Sequence, residues 1–373
     1  MTWSTWVDGQ LDAIRAAGQW RSVRDFDAAG PTGRLGDDTV VSFASNDYLG
    51  LTNHPAVVAA GHAALDRWGA GAGASRLVVG SRPVHTELEV ALADWKGEDA
   101  SLLFPTGFAA NLGALTTLAG PDVLIVSDEL NHASIIDGAR LGRGPVAVYR
   151  HLDVDHAAEL VAGARADGCR ALVVTDTVFS MDGDVAPVDA LADVCATWGA
   201  LLVLDEAHAV LGPHPVLDGV EHLRVGTLSK TLGALGGFVA GPRAMIDLLV
   251  NRARPFIFTT ASTPADTAAA LAGLAVLRSD AGVALVNRLG GHVERVRPGH
   301  PSPIIPVVLG DEAAAVAASD ALLARGLLVP AIRPPTVAPG TSRLRVALSA
   351  AHTEEQVDAL ANALAEVAGA RAG

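Results

Sequence analysis

The chain of 373 residues is half hydrophobic and acidic, with a net charge of -14 and a pI of about 5.2. This length predicts one large domain plus a smaller one, and the acidic balance argues against a nucleic-acid-binding surface, which is normally basic. We expect neither export nor membrane spanning, because the sequence lacks a signal peptide and a run of about 18 apolar residues. Cys169 and Cys195 lie apart from any metal-ligand spacing, which predicts buried thiols, no metal site and a cytoplasmic protein.

The first predicted elements are helices. Residues 1–40 are interpreted as an N-terminal helical arm. The segment NHPAVVAAGHAALDRW predicts a helix with Asn53 as its cap and Pro55 just inside its start. The segment RPVHTELEVALADWKG predicts a second helix from Pro83 to a stop at Gly97.

The middle of the chain alternates short apolar runs with helical segments, a pattern typical of a parallel sheet covered on both faces. We assign residues 41–285 to this large α/β domain. Its seven predicted strands are ASLLF (100–104), DVLIVSD (122–128), VAVYRH (146–151), RALVVTD (170–176), ALLVLDE (200–206), LRVGTLS (223–229) and GFVAG (237–241).

After about residue 290 the pattern changes to isolated strands and two helices. The runs PIIPVVLG, LLVPAIRP and SRLRVALSA predict strands, and helices are expected over 312–325 and from Thr353 onward. Residues 286–373 are therefore predicted to form a smaller α+β C-terminal domain.

The letters D-E-A-H within LLVLDEAHAVLG (201–212) raise the possibility of an ATP-driven nucleic-acid motor. Such a motor also needs a phosphate loop G-x-x-x-x-G-K-[ST], whose amides and lysine hold the phosphates. The chain has only two lysines, Lys96 and Lys230, and neither follows a glycine. The motor hypothesis therefore lacks its most necessary part.

Lys230, in GTLSKTLGALGG at a strand end, is a candidate catalytic amine. Among 27 lysine and arginine residues only two are lysines, and only lysine can lose its proton and form a Schiff base. Lys96 lies beside Glu98 and Asp99 at a helix end, which predicts a solvated surface charge.

Polar residues at the carboxyl ends of neighbouring strands supply what pyridoxal phosphate requires of a protein. Asp205 can pair with the pyridine nitrogen, and His208 can meet the phenolic oxygen. The amides of Gly107 and Phe108 open a helix after PTG and can hold the phosphate. His132 can stack on the ring or simply cap the helix that it starts.

On these residues the chain resembles the α-oxoamine synthases, enzymes of pyridoxal-phosphate fold type I that condense an amino acid with an acyl thioester. The resemblance spans nearly the whole chain and implies an aspartate-aminotransferase-like fold with a mostly parallel seven-stranded sheet between helices. The matching motifs are SFASNDYLGL (42–51), GAGASRLVVG (71–80), FPTGFAANLGAL (104–115), DELNHASIIDGAR (128–140), DTVFSMDGDVAP (176–187), LDEAH (204–208), GTLSKTLGALGGFVAG (226–241) and GTSRLRVALSAAHT (340–353).

The resemblance implies a role for each residue of the cofactor motifs. Lys230 would form the Schiff base, and Asp205 would face the pyridine nitrogen. His208 and Ser180 would lie near the phenolic oxygen, and His132 would stack on the ring.

The phosphate is expected to be held from several sides. Gly107, Phe108, Thr227 and Ser229 would hold it within one subunit. Thr260 of the neighbouring subunit would reach it as well, which implies a homodimer with its active site at the interface.

Substrate positions follow from the same resemblance. Asn46 and Arg345, together with His132, would contact the amino acid. Arg343 and Arg345 alternate along a predicted strand and face the same side, so either could bind the carboxylate, and the family pattern favours Arg345. Arg21 and Thr336 resemble positions that contact the acyl substrate.

The segment AIRPPTVAPGTSRLR (331–345) most resembles the biotin-pathway member of the family, which joins L-alanine to a pimeloyl thioester. The acyl carrier, coenzyme A or a carrier protein, stays open. A sister synthase such as a glycine C-acetyltransferase or a 5-aminolevulinate synthase is the alternative, followed by an aminotransferase and a non-catalytic partner. Ala209 replaces the usual glycine after DEAH, and the following loop is shorter than usual.

Overall fold

The computed structural model describes residues 1–369, beginning with a helix and a small sheet. Helix α1 (Trp3–Ala16) starts after Thr2, whose side chain accepts a hydrogen bond from the Thr5 amide, and it has no buried residue. Three strands follow in an antiparallel meander: β1 (Phe26–Ala28), β2 (Thr32–Leu35) and β3 (Asp38–Ser42). The helical arm predicted over 1–40 is therefore wrong beyond α1, because positive-φ turns at Gly30 and Gly36 fold this segment into hairpins.

The next two helices lie where the sequence predicts them. Helix α2 (Pro55–Trp68) begins with Pro55 inside its first turn. Its cap is His54, whose Nδ1 accepts from the Ala56 amide, so the predicted cap Asn53 is wrong by one residue. Helix α3 (Pro83–Lys96) stops at Gly97, which adopts φ 70° as a helix-ending glycine does.

All seven strands predicted for the central sheet are present. They are β4 (Ala100–Phe104), β5 (Val123–Asp128), β6 (Val146–Tyr149), β7 (Arg170–Asp176), β8 (Leu201–Asp205), β9 (His222–Thr227) and β10 (Gly237–Gly241). Their order is β4-β10-β9-β8-β7-β5-β6, and only β10 runs antiparallel to its neighbours. Both β4 and β10 are buried along their whole length, as expected for a sheet covered on both faces.

Helices cover the sheet and connect its parallel strands. They are α4 (Gly107–Leu118), α5 (Ala133–Leu141), α6 (Val154–Ala166), α7 (Val188–Trp198), α8 (Arg243–Arg252), α9 (Arg254–Ile257), α10 (Pro264–Leu277) and α11 (Asp280–Val296). Within the described residues no single helix is long and apolar enough to cross a membrane; α10 and α11, bent by 78°, meet that test only as a pair.

The C-terminal part is α+β, as predicted. It contains β11 (Ile304–Gly310), α12 (Glu312–Leu323), β12 (Leu327–Leu328), β13 (Ala331–Ile332), β14 (Ser342–Ala347) and α13 (Glu354–Gly369). Strands β11, β14 and β13 form an antiparallel sheet, while β12 pairs with β3 of the N-terminal meander. Phe43 and Tyr48 share a core with Leu344 and Val346, so the N-terminal segment packs on the C-terminal part. The predicted domain boundaries stay a prediction.

Lys96 is not the solvated charge that its acidic neighbours predict. Its Nζ lies 2.6 Å from Glu206 Oε2 and its side chain is only 11% exposed. Arg224 donates to the other oxygen of Glu206 and also to Glu98. Burial alone would raise the pKa of Glu206, but Lys96 and Arg224 hold that pKa below its ordinary value. The prediction failed because the last turn of α3 packs on the end of β8, a tertiary contact that flanking residues do not reveal.

We expect Lys96→Met to lower the free energy of unfolding by up to about 3 kcal/mol, because Glu206 would lose one of its two buried cationic partners. Urea unfolding followed by circular dichroism measures the change. The control is Arg325→Met, which breaks the exposed Arg325–Glu366 pair and should cost less than about 1 kcal/mol. Equal costs for the two variants would contradict the burial argument.

Candidate active site

A cavity of about 190 Å³ lies at the carboxyl edge of the central sheet, where parallel α/β folds bind ligands. It brings together most of the site residues predicted from the sequence. Its lining comprises Thr106, Gly107, Phe108, Asn111, His132, Ser134, Asp176, Asp205, Ala207, His208, Thr227, Ser229 and Lys230.

Asp205 forms the floor of the cavity at the end of β8. Its carboxylate is 6% exposed and accepts hydrogen bonds from Asn111 Nδ2 at 2.6 Å and from the Ala207 amide at 2.9 Å. Asn111 Nδ2 also donates to Ser134, while its Oδ1 has no hydrogen-bond partner in the described structure. Such donors replace the water that a buried carboxylate loses, and Asp205 can also pair with a cation or an N–H group.

His132 both caps α5 and lines the cavity. Its Nδ1 accepts from the Ser134 amide and lies 2.7 Å from the Ser134 hydroxyl. Its backbone amide donates to Asp176 Oδ2 at 2.7 Å, which fixes the residue against the end of β7. His132 therefore caps α5, as one of the two alternatives predicted, and its ring still lines the cavity. Stacking on a cofactor stays a prediction.

A chain of hydrogen bonds runs from Lys230 to Arg345. Lys230 Nζ lies 3.0 Å from His208 Nε2, and His208 Nδ1 lies 2.5 Å from the Tyr48 hydroxyl. The Tyr48 hydroxyl donates to Asn46 Oδ1, which also accepts from Arg345 Nη2 at 3.1 Å. A charged Lys230 can only donate, so His208 then carries its proton on Nδ1 and donates to Tyr48.

Burial sets the protonation states around the cavity. It lowers the pKa of His208 well below its ordinary value, with Lys230 and Arg345 adding to the effect. It also lowers the pKa of Lys230, although the nearby Asp205 partly opposes this. Burial and the charge of Asp205 raise the pKa of Asp176 well above its ordinary value. The cavity thus combines a neutral imidazole with an acid, Asp176, that holds its proton more strongly than an ordinary carboxyl group.

Arg343 and Arg345 are distinguished by their partners. Arg343 forms an ion pair with Asp182 and is thereby neutralised. Arg345 is equally buried, but its Nε donates to the Ser180 carbonyl, and within residues 1–369 it has no carboxylate partner. This difference supports Arg345 as the residue that can take a substrate carboxylate. The Ser180 side chain does not line the cavity, so its predicted role stays a prediction.

The start of α4 forms a cradle for an anion. Thr106 caps the helix by accepting from the Ala109 amide, which leaves the amides of Gly107 and Phe108 at the open N-terminus. A Cβ on Gly237 would lie 2.5 Å from Gly107 N, so this close approach requires glycine. The hydroxyls of Thr227 and Ser229, on the same wall, both donate to the Gly236 carbonyl.

Six predicted residues lie outside the lining of the cavity: Asn46, Ser180 and Arg345, described above, and Thr260, Arg21 and Thr336. Thr260 is exposed on the segment after α9. Arg21 lines a separate cleft of about 350 Å³ with Trp20 and Pro335, and Thr336 follows directly on the chain. Their predicted contacts, with a neighbouring subunit for Thr260 and with the acyl group for Arg21 and Thr336, stay predictions.

Tyr48, Asn111 and Asp176 are cavity or relay residues that were not singled out from the sequence. Each lies inside a quoted family motif, and two had a physical signal. Asn111 is one helical turn from Gly107, so it faces the same side. Asp176 ends a predicted strand beside Asp205. Tyr48 had no such signal, because its contact with His208 spans 160 residues.

Comparison with known proteins places this geometry in a family. The family model described as aminotransferase class I and II matches residues 38–364. An 8-amino-7-oxononanoate synthase of Anaeromyxobacter dehalogenans (strain 2CP-1 / ATCC BAA-258) is 50% identical, covering 97% of this chain and 95% of its own. One from Methylobacterium sp. (strain 4-46) is 47% identical, covering 96% and 98%.

Solved structures agree with this placement. A serine palmitoyltransferase from S. paucimobilis, with PLP and myriocin bound, superposes with a TM-score of 0.91 at 29% identity, covering 99% of each chain. A Francisella tularensis 8-amino-7-oxononanoate synthase has a TM-score of 0.75 at 24% identity, covering 90% of this chain and all of its own, and supports the fold alone. The fold is therefore that of fold-type-I enzymes, as the sequence predicted.

We expect opposite protonation of two histidines at neutral pH. His208 should stay neutral down to pH 6, because its pKa lies well below its ordinary value, whereas His151 should stay charged up to pH 8, because its pKa is raised to about 10. Long-range ¹H–¹⁵N spectra of histidine-labelled protein would report both rings. His208→Gln and His151→Gln assign the signals, and a His208 resonance that titrates between pH 6 and 8 would contradict the expectation.

Proposed function

Because the chain belongs to the aminotransferase class I and II family and, within it, to the α-oxoamine synthases, we propose that it makes 8-amino-7-oxononanoate. The reaction joins L-alanine to a pimeloyl thioester and releases carbon dioxide and the free thiol. The observation that carries the proposal is the combination of Lys230, Asp205 and His208 in one buried cavity with 50% identity to synthases of that name. A cytoplasmic location accompanies the proposal.

The residues of the cavity fit pyridoxal 5'-phosphate. Lys230 provides the amine that would hold the aldehyde, and Asp205 provides the carboxylate that would keep the pyridine nitrogen protonated. The glycine-lined N-terminus of α4 matches the needs of a phosphate. The unpartnered Asn111 Oδ1 leaves one further acceptor in the lining. When bound, the cofactor supplies an electron sink for the carbanion formed at the amino-acid Cα.

Lys230 would carry out the proton transfer of the reaction. Its Nζ would take the Cα proton of L-alanine, a step favoured by burial, which lowers its pKa toward neutrality. His208, neutral because it is buried, offers Nε2 as a hydrogen-bond acceptor 3.0 Å from Nζ. This contact would hold the amine in place while it gains and returns a proton.

Arg345 would orient the amino acid. Its guanidinium is buried without a carboxylate partner among residues 1–369 and can offer two parallel N–H groups to the alanine carboxylate. Asn46 would steady the guanidinium from the side. Fixing the carboxylate decides which Cα bond is broken, because a bound group reacts only in the orientation in which it is held.

The acyl group would bind away from the cofactor cavity, and a second subunit would complete the site. Arg21 lines a cleft with apolar walls from Leu11 and Trp20, which suits an acyl chain that ends in a polar group; Thr336 follows the lining residue Pro335 in the sequence. Coenzyme A and a carrier protein both fit as thiol. Thr260 would complete the phosphate site of the other subunit in a homodimer.

Free-thiol release separates the proposed activity from the sister synthases that are the alternative. Purified protein loaded with cofactor should release thiol with L-alanine plus pimeloyl-CoA and not with glycine plus acetyl-CoA. Lys230→Ala should lower the rate at least about 10³-fold, because the amine is the proton acceptor. The control is Arg325→Met, which removes only an exposed ion pair with Glu366 and should retain the activity.

Each other outcome has a defined meaning. Release only with glycine and acetyl-CoA would assign the chain to a sister synthase. If neither pair releases thiol but a pimeloyl carrier protein does, the proposed reaction is retained and the carrier protein is the thiol. Silence with all three substrates would overturn the proposal.

Arg345→Ala should weaken L-alanine binding about 10²-fold. This factor follows because hydrogen bonds between charged groups contribute up to about 3 kcal/mol of binding free energy. Titration of the visible absorbance of the bound cofactor with L-alanine measures this affinity. The absorbance before alanine is added should be unchanged, since Arg345 does not line the cofactor cavity. Arg343→Ala is the control and should have a smaller effect, because Asp182 already neutralises Arg343. A larger effect at Arg343 would reverse the assignment.

A further inference from the structure

The ring of His151 is held between two carboxylates outside the cavity. His151 Nδ1 lies 2.9 Å from Asp128 Oδ1, and its Nε2 lies 2.8 Å from Asp184 Oδ2. The Phe179 ring and the imidazole pack nearly perpendicular to each other, with the two centroids 4.4 Å apart. Only a protonated imidazole donates from both nitrogens, so this geometry selects the cation. Burial alone would lower the pKa of His151, but the two carboxylates raise it to about 10.

The two carboxylates are anchored very differently. Asp128 ends β5, and its oxygens also accept from the amides of Leu130 and Leu152, so it is fixed to the central sheet. Asp184 lies on an irregular segment after β7, and its Oδ1 has no hydrogen-bond partner in the described structure. His151 therefore ties this irregular segment to the end of a strand of the central sheet.

That turn, residues 179–184, is tightly built. The Phe179 amide donates to the Asp184 carbonyl, and the Gly183 amide donates to the Phe179 carbonyl. Gly183 has φ 69°, and a Cβ there would lie 1.9 Å from the Ile304 carbonyl oxygen. Ser302 also donates to the Gly183 carbonyl at 2.7 Å. The turn is thus pressed against the first strand of the C-terminal sheet.

The turn holds both arginines of β14. The Ser180 carbonyl accepts from Arg345 Nε at 2.5 Å, and Asp182 pairs with Arg343. His151 contacts the turn through Asp184, whereas the two arginines contact it through Ser180 and Asp182. Any shift of the turn therefore moves the acceptor that orients the Arg345 guanidinium.

We propose that His151 is a positioning residue whose cation, clamped between Asp128 and Asp184, fixes the turn 179–184 and through it the direction of Arg345. The inference rests on the proposed function, in which Arg345 binds the carboxylate of the amino-acid substrate. His151 does not line the cofactor cavity. Its loss should act on amino-acid affinity and leave cofactor binding and thioester affinity as they are.

The test compares the cofactor-loaded wild type with His151→Gln, which retains polarity but cannot carry a charge. L-alanine affinity, read from the visible absorbance, should fall at least about tenfold, since a small misplacement of a binding group costs up to about 10²-fold. The absorbance without alanine and the KM for pimeloyl-CoA should match the wild type. The control is His62→Gln, because His62 is exposed on α2, and this variant should match the wild type throughout.

Two further variants separate positioning from general damage. Asp184→Asn should weaken alanine binding in the same direction, and combining it with His151→Gln should add little, because both changes break one contact. His151→Arg, which keeps a cation able to donate to two carboxylates, should recover part of the affinity.

The inference is overturned if His151→Gln binds alanine within twofold of the wild type, or if the KM for pimeloyl-CoA rises as much as the alanine constant. An additive double variant would overturn it as well. If the wild type itself does not bind L-alanine, the proposed substrate is wrong, but the positioning role of His151 is not yet tested. The affinity of the same variants for glycine then tests that role independently.

Discussion

The buried carboxylate of Asp205 is the charge on which the rest of the site depends. Asp205 is only 6% exposed, and a buried carboxylate is costly unless it accepts hydrogen bonds, which Asn111 and the Ala207 amide donate here. Burial raises the pKa of Asp176, and the neighbouring Asp205 raises it further. Burial lowers the pKa of Lys230, and the charge of Asp205 partly opposes this shift. The charge of Asp205 thus shifts the pKa values of two neighbouring groups, Asp176 and Lys230.

The two acidic residues of the DEAH motif have different roles, because successive side chains of a strand point to opposite faces. Asp205 points to the cavity, whereas Glu206 enters the ion-pair network with Lys96 and Arg224 on the other side. That network ties α3 to the strand ends that carry Asp205. The motif that suggested a nucleotide motor therefore provides one residue, Asp205, to the cavity and another, Glu206, to the ion pairs that hold the strand end in place.

The sequence predicted most of the central sheet and the cavity, because both follow from local patterns. Strand runs, glycines beside a helix start and polar residues at strand ends all act over a few residues, and parallel topology then brings the strand ends together. What could not be predicted depends on distant contacts. Tyr48 meets His208 across 160 residues, and Lys96 meets Glu206 across a helix-to-strand interface. The hairpins after α1 were missed because three short, largely exposed strands leave no strong alternation.

The two ends of the amino-acid site are physically connected. From Lys230 a line of hydrogen bonds passes through His208, Tyr48 and Asn46 to Arg345, so the amine and the carboxylate receptor share one network. Lys230 follows a strand of the central sheet, whereas Arg345 belongs to the C-terminal sheet. A substrate that engages both residues would therefore bridge two parts of the fold, and the energy of its binding would depend on how rigidly they are joined. Buried hydrogen bonds across such a junction are costly to leave unmade, which explains why the junction is built from polar groups that are each paired on both sides.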